Sequence, residues 1–321
     1  MPNQNVPTPM EPTEPPEPAV PPTEKPTEAP SPVSPTATST IIPEDVPPSM
    51  EANIGLVFAK DTVREKLIDR KLDLFTPTNT DNWPILLFLP GRGESTGNYT
   101  DLAQAVTERG VMVFVVDYPM TPPAHAILHK GQGYREIAET VACAIRFARA
   151  AALESGNEAP FLAISGFSLG GGVVAHNALA GESVNQIWEG LAASSGEPTS
   201  QVECTVGEGS THVDALIGIS GAYDAFVGYD GMYGRDFMQE RDPDLWELFF
   251  STVSENPDLK VRLLHSETDS TIPYENSVEF RNLLSEEGYD VQLIPFNSGH
   301  SVPNDLTIET IMSVFEELYD G

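Results

Sequence analysis

The pentapeptide Gly166–Gly170, with the sequence GFSLG, places Ser168 between two glycines. An apolar run that begins at Phe161 precedes it, and small residues typical of a helix follow over 171–180. On a sharp turn between a strand and a helix, a serine hydroxyl is exposed and can serve as a nucleophile. The two glycines are expected because side chains at these positions would clash. The alternative is an ordinary glycine-rich turn whose serine only caps the helix.

A serine hydroxyl becomes a good nucleophile only when a base takes its proton and an acid orients that base. Two aspartates, Asp224 and Asp269, follow predicted strands after Ser168. Asp269 is the better candidate because a loop histidine, His300, follows it 31 residues later. In an open α/β sheet, residues at the carboxyl ends of strands gather around the ligand. The alternatives are that Asp269 caps a helix and that His300 is an ordinary loop histidine.

The other histidines fit the role of base less well. His265 ends a predicted strand beside Asp269, but it precedes the aspartate and so has the wrong place in the order Ser, Asp, His. The remaining histidines are His125, His129, His176 and His212.

Acyl transfer also needs hydrogen-bond donors for the negative charge that develops on the carbonyl oxygen. The turn that follows a predicted strand at 84–89 offers the backbone N–H groups of Gly91, Arg92 and Gly93, and the residue after the nucleophile offers that of Leu169. The alternative is a tight turn with no role in the chemistry. The side chain of Arg92 is expected either in solvent or against an acidic group of the substrate.

Strands alternate with helices along the chain, which predicts an α/β fold with a mostly parallel, doubly wound sheet and helices on both faces. Residues 181–212 are polar and are predicted to be irregular. The predicted strands are 54–59, 64–75, 84–89, 111–116, 161–166, 213–220, 261–264 and 291–295, and the predicted helices are 99–109, 134–155, 171–180, 274–288 and 306–319.

Composition divides the chain into a tail and a single large domain. Residues 1–50 are rich in Pro, Thr and Glu and predict a disordered stalk, since they hold too little apolar surface to form a core. Residues 51–321 are long enough for one catalytic domain. Within it, an aromatic insertion at 225–257 predicts a cap or pocket wall, with core packing as the alternative. The pocket candidates are Phe226, Tyr229 and Trp246.

The formal net charge of −31 argues against nucleic acid and anionic membranes as partners, because both require basic patches. No run of eighteen apolar residues predicts a transmembrane segment. The first residues lack the basic start and apolar run of a signal peptide. Because the tail resembles the spacer behind an export or lipid-attachment signal, we expect an exported protein whose signal has been removed, with the tail as a surface tether.

The chain has two cysteines, Cys143 and Cys204. In an exported protein such a pair favours a disulfide, with two free thiols as the alternative. Their spacing does not suggest a metal site.

From about Glu51 to Asp320 the chain resembles the α/β-hydrolase superfamily, in particular the carboxylesterase, lipase and dienelactone-hydrolase-like enzymes. This resemblance implies a sheet of about eight strands, no cofactor and an acyl-enzyme on Ser168. The chain departs from the family at the oxyanion turn, where Pro90 stands in place of a histidine. The resemblance is carried by Leu89–Gly93, Gly166–Gly170, Asp269 with Ile272-Pro273, Gly299-His300, and the helix segment 141–147.

Together these features predict an extracellular serine carboxylic-ester hydrolase that acts on a small-molecule or polymer-borne ester. Ser168 is expected as nucleophile, His300 as base and Asp269 as the residue that orients the base. Two alternatives stay open: a serine peptidase of the prolyl-oligopeptidase type with the same three residues, and a catalytically silent hydrolase fold that serves as a binding module.

Overall fold

The computed structural model describes residues 50–63, 66–78, 82–119, 132–157, 160–184, 202–223 and 255–320. Several predictions therefore lie outside the described residues. They concern the tail up to residue 49 and most of the insertion at 225–257. They also concern His125, His129 and Asp224, and the pocket candidates Phe226, Tyr229 and Trp246.

Nine strands in the described ranges form one mixed sheet, in the order β6-β1-β2-β4-β3-β5-β7-β8-β9. The strands from β4 to β9 in this order run parallel to one another, whereas β2 is antiparallel to both β1 and β4, and β6 is antiparallel to β1. The bounds are β1 Met50–Val63, β2 Lys66–Pro77, β3 Ile85–Leu89, β4 Met112–Val116, β5 Leu162–Phe167, β6 Val202–Cys204, β7 Ala215–Ile219, β8 Lys260–Ser266 and β9 Asp290–Phe296.

Helices cover both faces of this sheet. The bounds are α1 Thr100–Thr107, α2 Gln132–Glu154, α3 Leu169–Ala180, α4 Tyr274–Glu286 and α5 Asn304–Asp320. Apolar residues of α2, α3 and α4 form one core cluster, and those of α1 and α5 form the other. Strand β3 serves both clusters, since Leu87 belongs to the first and its neighbour Phe88 to the second. A strand buried on both faces has no polar alternation, which explains its continuous apolar sequence.

One prediction about the sheet is wrong. The polar stretch 181–212, predicted to be irregular, contains β6, which adds a ninth strand at the edge of the sheet. Strand β6 has only three residues, and it pairs with Ala59–Asp61 of β1. So short a strand leaves no periodic pattern in the sequence, because its position depends on the partner strand and not on its own apolar residues.

The predicted disulfide between Cys143 and Cys204 is confirmed. It joins the middle of α2, where Cys143 is fully buried, to the end of β6. The guanidinium of Arg146, one turn further along α2, donates to the carbonyl oxygens of Gly207 and Gly209 at 3.4 and 3.3 Å. The cross-link and these hydrogen bonds together hold the strand and its following loop against the helix. Within the described ranges, no helix combines the length and the apolar character needed to cross a membrane.

Candidate active site

Ser168 lies on the turn between β5 and α3, as the pentapeptide predicts. Its backbone has φ 55° and ψ −120°, a conformation that residues other than glycine rarely adopt. Two backbone hydrogen bonds fix this turn against the end of β7: the Ser168 N–H donates to the oxygen of Ile219 at 3.0 Å, and the Ala222 N–H donates to the oxygen of Ser168 at 3.0 Å. The strained turn is therefore held from the neighbouring strand.

The glycines on either side of the serine are required by close backbone contacts. A Cβ atom on Gly166 would lie 2.5 Å from the carbonyl oxygen of Gly170. A Cβ atom on Gly170 would lie 2.5 Å from the carbonyl oxygens of both Leu89 and Pro90, at the end of β3. No side chain fits at such distances, so the helix can start directly behind the turn only with glycine at both positions.

Two further glycines, Gly171 and Gly172, have a role that the sequence analysis missed. A Cβ atom on Gly171 would lie 2.7 Å from the Cα of Gly221, and one on Gly172 would lie 2.1 Å from the oxygen of Ala222. The first turn of α3 thus touches the backbone loop behind β7. The run of three glycines after Leu169 was the available signal, because a helix rarely begins with three poor helix formers unless another backbone approaches it closely.

The structure brings Ser168, His300 and Asp269 together in one chain of hydrogen bonds. The distance from His300 Nε2 to Ser168 Oγ is 2.9 Å, and that from His300 Nδ1 to Asp269 Oδ2 is 2.7 Å. A carboxylate only accepts hydrogen bonds, so Nδ1 carries the proton of the neutral ring and Nε2 is left to accept the serine proton. This arrangement can convert the serine hydroxyl into a nucleophile.

Asp269 is held in its charged form. Burial of the side chain by itself raises the pKa of Asp269, but hydrogen bonds from His300 and from two backbone amides outweigh burial and lower the pKa below its usual value. The amides of Thr271 and Ile272 donate to Oδ1 at 2.8 and 3.0 Å. The carboxylate is thus fixed through one oxygen and faces His300 with the other.

The loop that carries His300 is hydrogen-bonded to the side chain of Ser266, the last residue of β8. The fully buried Ser266 hydroxyl oxygen accepts hydrogen bonds from the amides of Gly299 at 3.0 Å and Ser298 at 3.2 Å. The ring of His300 also packs on Phe167, with 4.8 Å between ring centroids. Strand β8 therefore positions the histidine loop through a side chain that the sequence analysis did not single out.

We expect Ser266→Ala to reduce kcat/KM for a p-nitrophenyl ester about tenfold. The substitution removes the shared acceptor of two loop amides, and small displacements of a catalytic group cost one to two orders of magnitude in rate. Initial-rate kinetics on the folded variant measure this effect. The matched control is Ser313→Ala on α5, where the serine is exposed and its removal should leave kcat/KM unchanged. Equal rates for both variants would show that Ser266 does not position the loop.

The predicted oxyanion turn is secured by the side chains of Glu94, Tyr99 and Tyr118. The Gly91 amide donates to Glu94 Oε2 at 2.9 Å, and the same oxygen accepts the hydroxyl of Tyr99. The oxygen of Pro90 accepts the hydroxyl of Tyr118 at 2.9 Å. The N–H of Gly91 is therefore engaged within the turn and is not available to a ligand.

Two of the predicted donors have backbone N–H groups without a hydrogen bond to the described part of the chain. They are Arg92, in the turn, and Leu169, the first residue of α3, whose amide has no acceptor within the helix. Gly93, the fourth predicted donor, has φ 80° and closes the turn, in which the Glu94 amide donates to the oxygen of Gly91 at 3.1 Å. Arg92 and Leu169 are therefore the predicted donors whose amides have no acceptor in the described part of the chain.

Two further histidines of the described ranges, His176 and His212, occupy other environments. His176 is buried within α3, and burial lowers its pKa to about 3, so the ring is neutral at physiological pH. His212 contacts Asp214 at the opposite end of the sheet, before β7 begins, with 3.4 Å between Nε2 and Oδ1. In the described ranges, no three His, Cys, Asp or Glu side chains are grouped so that they could hold a metal ion.

Comparison with solved structures shows which known proteins have a similar fold. The chain superposes on esterase 2 of Thermogutta terrifontis with propionate bound, at a TM-score of 0.58 and 17% identity, over 86% of this chain and 96% of the other. It also superposes on a truncated carbohydrate esterase from gut microbiota, at 0.60 and 18%, over 86% and 98%. An acetyl ester-xyloside bifunctional hydrolase from Caldicellulosiruptor lactoaceticus matches at 0.56 and 16%, over 78% and 89%. This chain has the α/β-hydrolase fold.

By sequence, no protein family and no curated protein matches the chain. At 16–18% identity the structural likeness establishes the fold alone. In this α/β-hydrolase fold, Ser168 follows β5, Asp269 follows β8 and His300 follows β9. All three lie at the carboxyl ends of parallel strands, where open α/β sheets bind their ligands.

Proposed function

We propose that this protein is a serine carboxylic-ester hydrolase that acts through Ser168, His300 and Asp269. The observation that carries the proposal is the unbroken series of hydrogen bonds from the Asp269 carboxylate through the His300 ring to the Ser168 hydroxyl. It lies on strand-end loops of a fold shared with esterases.

In the first half of the reaction, Ser168 Oγ attacks the ester carbonyl carbon while His300 Nε2 takes the hydroxyl proton. The carbonyl oxygen becomes an oxyanion and receives hydrogen bonds from the amides of Arg92 and Leu169. The charge that forms on the His300 ring is balanced by Asp269. When the tetrahedral intermediate collapses, the ester bond breaks, and His300 returns the proton to the departing alcohol. The acyl group is left on Ser168.

In the second half, a water molecule replaces the alcohol. His300 takes a proton from the water, whose oxygen attacks the acyl carbon, and the same two amides receive the second oxyanion. Breakdown of this intermediate releases the carboxylic acid and returns the proton to Ser168. The reaction needs no electron acceptor, and each proton that His300 receives it also gives back.

For the substrate, we propose esters of short carboxylic acids, either small molecules or groups carried on a polymer. The similar structures include an esterase with bound propionate, the same esterase with bound butyrate, a carbohydrate esterase and an acetyl ester-xyloside bifunctional hydrolase. The disulfide supports a site of action outside the cytosol, because such bonds persist in oxidising compartments. We accordingly propose an extracellular or cell-surface enzyme.

A fluorophosphonate probe followed by peptide mass spectrometry tests the proposed nucleophile. We expect one phosphonyl adduct, on Ser168, together with hydrolysis of p-nitrophenyl acetate and butyrate. An adduct without hydrolysis of esters, but with cleavage of peptide substrates, would favour the peptidase alternative. A folded protein that forms no adduct would favour the catalytically silent binding module.

A further inference from the structure

A second histidine, His265, contacts the carboxylate of Asp269 and has no part in the proton transfers proposed above. It lies next to the end of β8, and its side chain is fully buried. The distance from His265 Nε2 to Asp269 Oδ2 is 3.4 Å, so both histidines approach the same carboxylate oxygen. Burying an ionisable group is costly unless its polar atoms find partners, and His265 finds them around the Asp269 carboxylate.

The partners of the His265 ring determine which nitrogen carries its proton. Nε2 faces the backbone oxygen of Ile272 at 2.9 Å and Asp269 Oδ2 at 3.4 Å. Both oxygens only accept hydrogen bonds, so Nε2 carries the hydrogen, which it donates to the Ile272 oxygen while lying close to Asp269 Oδ2. Nδ1 is then an acceptor in the neutral ring, and the hydroxyl of Ser277 on α4 donates to it at 2.6 Å.

The surroundings of His265 keep this ring neutral. Burial, the largest effect, lowers the pKa of His265, although the backbone oxygen of Ile272 and the charge of Asp269 act in the opposite direction. The titratable groups that face the ring are Asp269 on the following loop, His300 on the loop after β9, and Tyr274 at the start of α4, whose ring stands edge-on at 5.9 Å. A neutral ring can donate to the carboxylate without cancelling its charge.

We propose that His265 is a positioning residue that fixes the Asp269 carboxylate and, through it, tunes the basicity of the catalytic histidine. This inference rests on the proposed function. The ring of His265 holds the Asp269 turn at two points. It donates to the oxygen of Ile272, whose amide donates to Asp269 Oδ1, and the nitrogen of its polarised N–H lies 3.4 Å from Oδ2 itself.

The contact at Oδ2 has a definite electrostatic consequence. Oδ2 also accepts the Nδ1–H of His300, so the donor on His265 withdraws part of the negative charge that this hydrogen bond uses. Without that donor, Oδ2 would attract the His300 proton more strongly. We therefore expect the acid limb of the kcat/KM profile to move upward when the donor is removed.

The test is the pH dependence of p-nitrophenyl acetate hydrolysis by His265→Phe and His265→Gln. Phenylalanine fills the site but donates nothing, whereas the glutamine amide places a donor close to the position of Nε2 and does not titrate. For His265→Phe we expect kcat to fall about tenfold with little change in KM, and the acid limb to move up by about half a pH unit. His265→Gln should restore most of kcat and the wild-type acid limb.

A third variant, Ser277→Ala, keeps the test decisive if the phenylalanine variant does not fold. It removes only the hydroxyl that fixes Nδ1, and we expect a smaller shift in the same direction. An acid limb that coincides with the wild-type profile in every folded variant among His265→Phe and Ser277→Ala would overturn the proposal. So would a His265→Gln profile displaced as far as that of His265→Phe.

Fluorophosphonate labelling separates failure of this inference from failure of the proposed function. If the wild-type protein labels on Ser168 and hydrolyses esters, the proposed function stands whatever the pH profiles show. If it does neither while folded, the proposed function fails before the role of His265 is in question.

Discussion

Replacing Ser168 with alanine is expected to lower kcat for p-nitrophenyl butyrate by about 10,000-fold or more. The change removes the only atom proposed to form the covalent intermediate, and removing a nucleophile from a Ser-His-Asp set costs several orders of magnitude even when the other groups remain. Because the His300 ring and the oxyanion donors stay in place, KM should change far less than kcat.

The alanine variant should fold as the wild type does. Alanine meets the same backbone strain at φ 55° as serine, and the two hydrogen bonds that fix the turn use only backbone atoms of residue 168. Circular dichroism and thermal melting check this expectation, and Ser313→Ala serves as the matched serine control. Turnover by a folded Ser168→Ala at more than a few per cent of the wild-type rate would contradict the proposed role of Ser168.

Removing the disulfide is expected to lower the free energy of unfolding by about 4 kcal/mol, the chain-entropy estimate for a loop of this length. The two cysteines are separated by 61 residues, and the loop between them contains the whole of β5 and α3. For the double variant Cys143→Ala, Cys204→Ala, this loss corresponds to a decrease in Tm of about 10 °C. Alanine is used because Cys143 is fully buried and a serine hydroxyl there would lack a partner.

The control for this experiment is the wild-type protein with and without a reductant. Reduction should lower the wild-type Tm by a similar amount and should leave the double variant unchanged. Below its transition the variant should keep full activity, because β6 lies at the opposite edge of the sheet from β8 and β9, which carry Asp269 and His300. If the melting temperatures of the wild type and the double variant lay within about 2 °C of each other, the cross-link would add little to stability.

The sequence was sufficient to predict the parts of the site that depend on local pattern and chain order. The strained turn needs glycines two residues before and two residues after the serine, so the pentapeptide 166–170 is enough to identify Ser168. Asp269 and His300 are visible because each follows a predicted strand, and the carboxyl ends of parallel strands meet at one edge. The apolar runs of β3, β4 and β7 likewise predict the burial of these strands on both faces.

The sequence was not sufficient where a residue acts through a contact made only in the folded chain. Ser266 accepts amides from a loop about thirty residues further on, and His265 was set aside because of its place in the chain order. The sequence predicts Gly91 as an oxyanion donor together with its neighbours, because it does not show that the Gly91 N–H donates to the Glu94 carboxylate. The position of strand β6 depends on its pairing with β1, on the disulfide and on the hydrogen bonds of Arg146.

The separation between the serine and its base has a consequence for how the protein gains activity as it folds. Ser168 and His300 are 132 residues apart, and the loop that carries His300 follows β9, the last strand at one edge of the sheet. Contacts between distant parts of a chain form late, because closing a long loop costs entropy before packing can offset it. In a refolding experiment, helical signal should therefore return before hydrolysis. The rate at which hydrolysis returns would then report the rate at which β9 pairs with β8.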